Sequence, residues 1–547
     1  MNLRSCINPH GWACPFAIGL SAILTLCPIR PASFAAEVTG DAIDRYLREE
    51  TLRVTQQSRQ DLSEVDAASW PETQRRWRDE LRVMLGIDAI GEPGELQIEV
   101  TGRFEVPGVK IQNLHYQSLP GLYVTANLYL PDAQTPESGW PAVLYACGHS
   151  RQEFDGRLYG NKAGYHHHGL WFARHGVACL TIDTVQLGEL HGEHHGTHRL
   201  GRWDWFSRGY TPAGVEALNA IRGVDLLCSF PKVDASRIGI TGRSGGGAYS
   251  WFAAALDDRI KVAVPVAGIT DLQNHVADRC VEGHCDCMYF VNYERWDYNK
   301  LAALVAPRPL LLANSDNDGI FPLDGVLRIH DDLKPLYGRL GKPDNFRLLI
   351  TPGPHADTQE LQTGAFRWLL DHLKGPGTVV DLPANKELEA SQLRVFGVKT
   401  PADERVTDVA GWLTPAAQRV GSAEAAERWQ TEWSNRLSAA RQSTDSLPAV
   451  REWRERIKAT PQADELSKGN AGDYRWRRYE VDSGRGYSIG VLQIQQGDDE
   501  SRLELVLAPL WQEDWTDAAR IAEGDASYVE RSRWGAWLDK GDARADA

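Results

Sequence analysis

In this 547-residue chain, the side chain best placed for nucleophilic chemistry is the serine of Gly242-Arg243-Ser244-Gly245-Gly246-Gly247. A hydroxyl attacks a carbonyl carbon only when a sharp turn holds it clear of its surroundings, and glycines on both sides permit such a turn. The Gly245 amide, at the start of a helix, would then face the oxygen that gains charge. A serine hydroxyl also needs a base, and the base needs an acid to orient it. His355, in Thr351-Pro352-Gly353-Pro354-His355, suits the first role. Asp316 and Asp318, in Ser315-Asp316-Asn317-Asp318-Gly319-Ile320-Phe321-Pro322, compete for the second. The bland reading of all these residues is a set of polar turns, since Gly, Asp and Asn are common turn formers.

Each candidate must be carried by something rigid, and the apolar runs supply it. Residues 237–241 read as a short buried strand just before the serine turn, with an Ala-rich helix behind it. Strand-like runs at 308–314 and 346–350 end just before the aspartates and just before His355. A further run at 141–147 opens into Gly148-His149-Ser150, where a second oxyanion amide is expected from His149, with Ser150 equally near. Strand and helix patterns alternate from residue 96 to 372, which predicts an α/β fold with a mostly parallel sheet covered on both faces. Ahead of it, residues 41–85 are helical in pattern, with Leu47, Leu52, Trp77 and Leu81 on apolar faces. Gly375-Pro376-Gly377 reads as a boundary. The expected organisation is therefore a leader over 1–35, a helical segment over 36–95, a catalytic domain over 96–375, and an α+β region over 376–547.

Three stretches carry a resemblance: Gly209-Tyr210-Thr211-Pro212-Ala213-Gly214, Asp234-Ala235-Ser236-Arg237-Ile238-Gly239 and Ala306-Pro307-Arg308-Pro309-Leu310. With the serine turn, they make residues 96–374 resemble bacterial α/β-hydrolases of the acetyl xylan esterase type. The resemblance implies a Ser244–Asp318–His355 triad, because the acid of that fold usually stands four residues before a proline such as Pro322. One departure is Arg243, where these esterases often have Gln, Met or Asn. A guanidinium beside the nucleophile suits an anionic substrate such as a uronic acid ester, although an ordinary salt bridge would explain it too.

Composition narrows the partners. A net charge of −15 argues against nucleic acid or an anionic membrane surface. The N-terminus reads as an export signal: Arg4, an apolar run over 15–26, and a cleavage site after Ser33-Phe34-Ala35. A periplasmic or secreted protein, with no stable membrane insertion once the signal is removed, is the expectation. Cys147, Cys179 and Cys228 read as buried thiols. For Cys280, Cys285 and Cys287, a local disulfide from Cys280 or free thiols ranks above a zinc site with His284, so neither metal nor cofactor is expected. Histidines crowd at 166–168 and 191–198, and the second stretch reads as a loop on the pocket rim, with metal binding the lesser alternative. Trp203 and Trp205 are candidates for stacking on sugar rings, with core packing the equal alternative.

The last third carries an echo. Trp453-Arg454-Glu455-Arg456-Ile457 parallels Trp77-Arg78-Asp79-Glu80-Leu81, and Tyr479 with 487–492 parallels Tyr116 with 123–128. A truncated second copy without a nucleophile and a coincidence are both open. The expected function is a serine carboxylic ester hydrolase that deacetylates a polysaccharide or oligosaccharide. The alternatives are a prolyl-oligopeptidase-like peptidase, a uronic acid ester hydrolase, and a non-catalytic carbohydrate-binding protein. Oligomeric state is not readable from the sequence.

Overall fold

The computed structural model describes residues 32–413, apart from 91–92, 194, 382 and 398, together with 463–471, 474–482, 488–496 and 503–507. Runs of Val, Ile, Leu and Ala form a nine-stranded sheet: β1 (Glu99–Val106), β2 (Val109–Leu119), β3 (Leu122–Pro131), β4 (Trp140–Ala146), β5 (Ala178–Ile182), β6 (Val233–Arg243), β7 (Ile260–Val266), β8 (Leu310–Ser315) and β9 (Phe346–Thr351). Their spatial order is β1-β2-β3-β5-β4-β6-β7-β8-β9. The strands from β5 to β9 are mutually parallel, while β1, β2 and β3 form an antiparallel meander on one edge. β4 and β5 are buried at every position, as parallel strands covered on both faces must be.

The chain leaves β4 on one side to form β5 and then crosses to the other side for β6. Loops after β4 and β6 therefore open next to each other at the carboxyl ends of the strands, the place where such sheets hold ligands. Helices α3 (His166–Arg174), α4 (Pro212–Ser229), α5 (Gly245–Leu256), α6 (Tyr298–Ala303), α7 (Leu323–Arg339) and α8 (Gln359–Leu373) cover the sheet. Trp171 of α3 stacks on Phe366 of α8 at 4.2 Å between ring centroids. α4 starts where Thr211 caps the Gly214 amide and Pro212 takes the first turn.

The N-terminal helices are α1 (Ala32–Glu64) and α2 (Trp70–Leu85). Trp77 and Leu81 are buried, but Leu47 and Leu52 are exposed, contrary to the pattern expected of them. α1 docks through Val54 and Leu62, which are buried, and through hydroxyls between them: Thr55 Oγ1 donates to Asp297 at 2.6 Å, and Ser58 Oγ accepts the Asp297 amide at 3.0 Å. Trp77 packs edge-on against Trp70 and Trp296, with the Lys300 ammonium 4.5 Å above its ring.

Packing does not end at Gly375-Pro376-Gly377, where a boundary was expected. Leu393 is buried in the main core, and Val395, Phe396, Val406, Val409 and Leu413 join a second cluster with Trp205 and Tyr210. The Glu189 carboxylate takes the amides of Val395 and Phe396 at 2.7 and 2.8 Å, and also Lys162 Nζ at 2.6 Å. That buried anchor ties the segment to the catalytic domain. Strands 463–471, 474–482, 488–496 and 503–507 form an antiparallel meander whose first strand carries an irregularity at 465/467, as β1 does at 100/102. The echoed stretch at 453–457 and residues 1–31 of the expected leader 1–35 lie outside the described residues.

Candidate active site

Ser244 stands between β6 and α5 with φ +60° and ψ −123°, a left-handed backbone that a non-glycine residue seldom adopts. Its amide donates to the Val266 carbonyl at 3.0 Å, and its own carbonyl accepts the Ala248 amide at 3.0 Å. The turn is thus pinned to β7 on one side and to the helix on the other. Two neighbouring glycines are required by close approach. A Cβ on Gly246 would run into the Ala146 carbonyl at the end of β4, and one on Gly245 would stand 2.6 Å from His149 Nε2.

The acid and base lie after β8 and β9, at the same end of the sheet. His355 Nδ1 donates to Asp318 Oδ2 at 2.7 Å. Asp318 Oδ1 accepts the amides of Ile320 and Phe321, both at 2.9 Å, so both carboxylate oxygens are engaged. Burial alone would raise this carboxyl. The His355 hydrogen bond and charge and the two amides outweigh it and hold Asp318 below the usual carboxylate value. Asp316 serves the backbone instead. Its Oδ1 takes the Gly353 amide at 2.8 Å and so fixes the loop that carries His355.

For the second oxyanion amide, the loop after β4 separates the two candidates. The Ser150 amide is committed to the Gly148 carbonyl at 3.0 Å. The His149 ring lies over Gly245, with Nε2 3.1 Å from the Tyr249 hydroxyl. Burial, then the nearby His195, His284 and His355, push its pKa down to about 4, so the ring is neutral at ordinary pH. Tyr249 in turn is hydrogen-bonded to Glu216, whose Oε1 accepts the Val185 amide at 2.8 Å. Burial raises Glu216 to about 8, and the Asp183 charge adds to it. Nothing in the spacing of His149, Glu216 and Tyr249 announces this relay, because α4 and α5 assemble it across 100 residues of chain.

The remaining candidates separate. Arg243 is half-buried and hydrogen-bonds the Tyr165 hydroxyl, while its Nε and Nη2 meet no acceptor among the described residues. Trp203 is 61% exposed. Trp205 is not a stacking platform: it is fully buried against Tyr210 and roofed by the Arg202 guanidinium, so its expected contact with sugar is corrected to core packing. Cys285 and Cys287 are joined to each other, and Cys280 is a free thiol, which corrects the disulfide expected from Cys280. His284 Nε2 lies 2.9 Å from the Ile320 carbonyl. Of the histidine-rich loop, Thr197 is held by both carboxylate oxygens of Asp286 at 2.7 Å, whereas His194 and the His198 side chain lie outside the described residues. His167 and His168 share the Asp357 carboxylate at 3.3 and 3.0 Å, which ties α3 to the chain just past His355.

Residues 93–270 match the family model described as acetyl xylan esterase, and residues 193–373 match that of the prolyl oligopeptidase family, a span containing Ser244, Asp318 and His355. Among curated proteins, YtaP of Bacillus subtilis (strain 168), named as a hydrolase, is 29% identical over 157 residues, 28% of this chain and 52% of that protein. A 4-O-methyl-glucuronoyl methylesterase of Phanerochaete carnosa (strain HHB-10118-sp) is 24% identical over 247 residues, 39% of this chain and 54% of that one. The chain spans about half the length of these curated relatives. Among solved structures, Methylesterase BT1017 superposes with a TM-score of 0.51 at 21% identity, covering 70% of this chain and 80% of that one. The fold is that of the α/β-hydrolases, and the chain resembles carboxylic ester hydrolases of the acetyl xylan and glucuronoyl esterase type.

Proposed function

We propose that this protein is an exported serine esterase that removes acyl groups from a polysaccharide or oligosaccharide through an acyl-enzyme. The observation that carries this reading is the 2.7 Å Asp318–His355 hydrogen bond on the loops beside the strained Ser244 turn. His355 takes the Ser244 proton as the hydroxyl oxygen attacks the ester carbonyl. Asp318 keeps the proton-bearing Nδ1 oriented and stabilises the imidazolium. The amides of Gly245 and His149 receive the oxyanion, and His355 then returns its proton to the departing sugar oxygen. Water repeats the cycle to release the acid.

Arg243 favours a second reading within the same chemistry. Two guanidinium donors without a protein acceptor among the described residues, one residue from the nucleophile, suit a substrate that carries a carboxylate or a uronic acid ester. Acetate release from acetylated xylan and acetylated pectin, and methanol release from a methyl-esterified uronic acid, compared between the wild type and Ser244→Ala, separates these readings. Loss of all release in a folded Ser244→Ala supports the esterase; release that persists overturns it. Preference for the uronic ester that falls in Arg243→Gln identifies the second reading.

A further inference from the structure

Beside the nucleophile lies a donor set that the ester chemistry does not use. Cys285 Sγ is 3.7 Å from His149 Nε2, and Cys287 Sγ is 3.5 Å from the same nitrogen. These three residues form one of the groups whose ligand atoms all lie within 4.8 Å of one another. A tetrahedral zinc ion about 2.3 Å from sulfur and about 2.05 Å from nitrogen holds S and N about 3.6 Å apart. Both sulfur-to-nitrogen separations already meet that requirement. The sulfurs must break their mutual bond and turn apart about their Cβ atoms, and Nε2 must exchange its 3.1 Å contact with the Tyr249 hydroxyl for the ion. Both cysteines are buried, and the ring that faces them lies over Gly245.

We propose that Cys285 and Cys287, when reduced, bind a soft metal ion such as Zn2+ together with His149 Nε2, and that the bound ion blocks the oxyanion side of Ser244. A phosphine with one water, which supplies the oxide oxygen and two protons, or a dithiol, which supplies its own two protons, delivers the two electrons that turn the bond into two thiols. The reductant leaves as phosphine oxide or cyclic disulfide. The ion then takes two thiolates and one neutral imidazole and releases two protons to solvent. Two thiolates and an imidazole favour Zn2+, Co2+ or Cu+ over Mg2+ or Ca2+. Three protein ligands leave a fourth position, which water fills. In the oxidised chain the sulfurs are spent on each other, so oxidation state decides whether the site exists.

The test uses the full chain, reduced with a phosphine, freed of reductant without air, and titrated with Co2+. Close to one Co2+ per chain, with a thiolate-to-cobalt charge-transfer band in the near ultraviolet, is expected. A site of imidazoles and carboxylate, such as His167, His168 and Asp357, gives no such band. The band is retained in Cys280→Ser and lost in Cys285→Ser and Cys287→Ser. Should those variants fail to fold, the oxidised wild type is the second comparison, since it has the same residues and no thiolates at this site. No band in the reduced wild type, or an equal band in the oxidised protein, overturns the proposal. The block on activity rests on the esterase reading, whereas the cobalt titration does not. Saturating Zn2+ is expected to lower ester hydrolysis by the reduced chain about tenfold or more, reversibly with a chelator. Unchanged hydrolysis with the ion bound overturns the block alone.

Discussion

At the scale of single residues, two aspartates in one short loop have been given different partners. Asp318 holds the His355 imidazole and Asp316 holds the backbone two residues before it. Asp318→Asn should therefore lower kcat by about 10⁴-fold, because an amide can leave the imidazole in the wrong tautomer. Asp316→Asn retains an oxygen acceptor for the Gly353 amide and should cost far less. Steady-state kinetics on one chromogenic ester compares the two, and equal losses would contradict the division of labour. Glu216 offers a second test at this scale. Its folded pKa of about 8 lies above the ordinary carboxyl value of 4.5, so the folded chain holds a proton that the unfolded chain releases. Stability from this group is complete below pH 4.5 and falls as pH rises toward 8, by on the order of a few kcal/mol. Glu216→Gln, which keeps a neutral acceptor for Val185, should therefore raise the melting temperature relative to wild type at pH 8 and not at pH 4.5. A difference independent of pH would mean that Glu216 is not buried as the proton-bearing form.

At the scale of elements, the strands that carry chemistry were readable because continuous apolar runs mark them: β8 is buried throughout, β6 is buried over the stretch that leads to Ser244, and β9, on the sheet edge, keeps its run although it is only half-buried over 348–350. The serine turn, both acid candidates and His355 each follow such a run. What the sequence concealed lies in contacts between distant elements. α1 is seated by Val54, Leu62 and the Thr55 and Ser58 hydroxyls on Asp297, whereas Leu47 and Leu52 are exposed. Trp203 and Trp205 are two residues apart and alike in type, yet one faces solvent and the other fills the second core. Only the fold of the loop around Gly196, packed on the Trp205 ring, separates them. The Cys285–His149 approach joins the loop after β4 to the segment after β7, a pairing of residues 136 positions apart. Spacing within 280–287 led instead to Cys280 and His284, which have other neighbours.

For the whole molecule, the catalytic domain extends past the Gly-Pro-Gly turn. Glu189, itself paired with a fully buried Lys162, receives the amides of Val395 and Phe396, and the second core is completed only by Val406, Val409 and Leu413. A chain ended after Leu413 should keep ester hydrolysis and a cooperative melt. One ended after Gly375 leaves Glu189 without both amides and strips much of the second core, so it should be recovered as aggregate or melt far earlier. Equal melting temperatures for the two chains would contradict this boundary. The central claim, that Ser244 is the attacking group of a serine esterase, is tested most directly by treating the folded full-length protein with a small fluorophosphonate and mapping the adduct by peptide mass spectrometry. A single phosphonyl group on the peptide that contains Ser244, absent from Ser244→Ala and strongly slowed in Asp318→Asn, is the predicted result. Folded protein that takes up no label, or takes it on a different serine, would contradict the account.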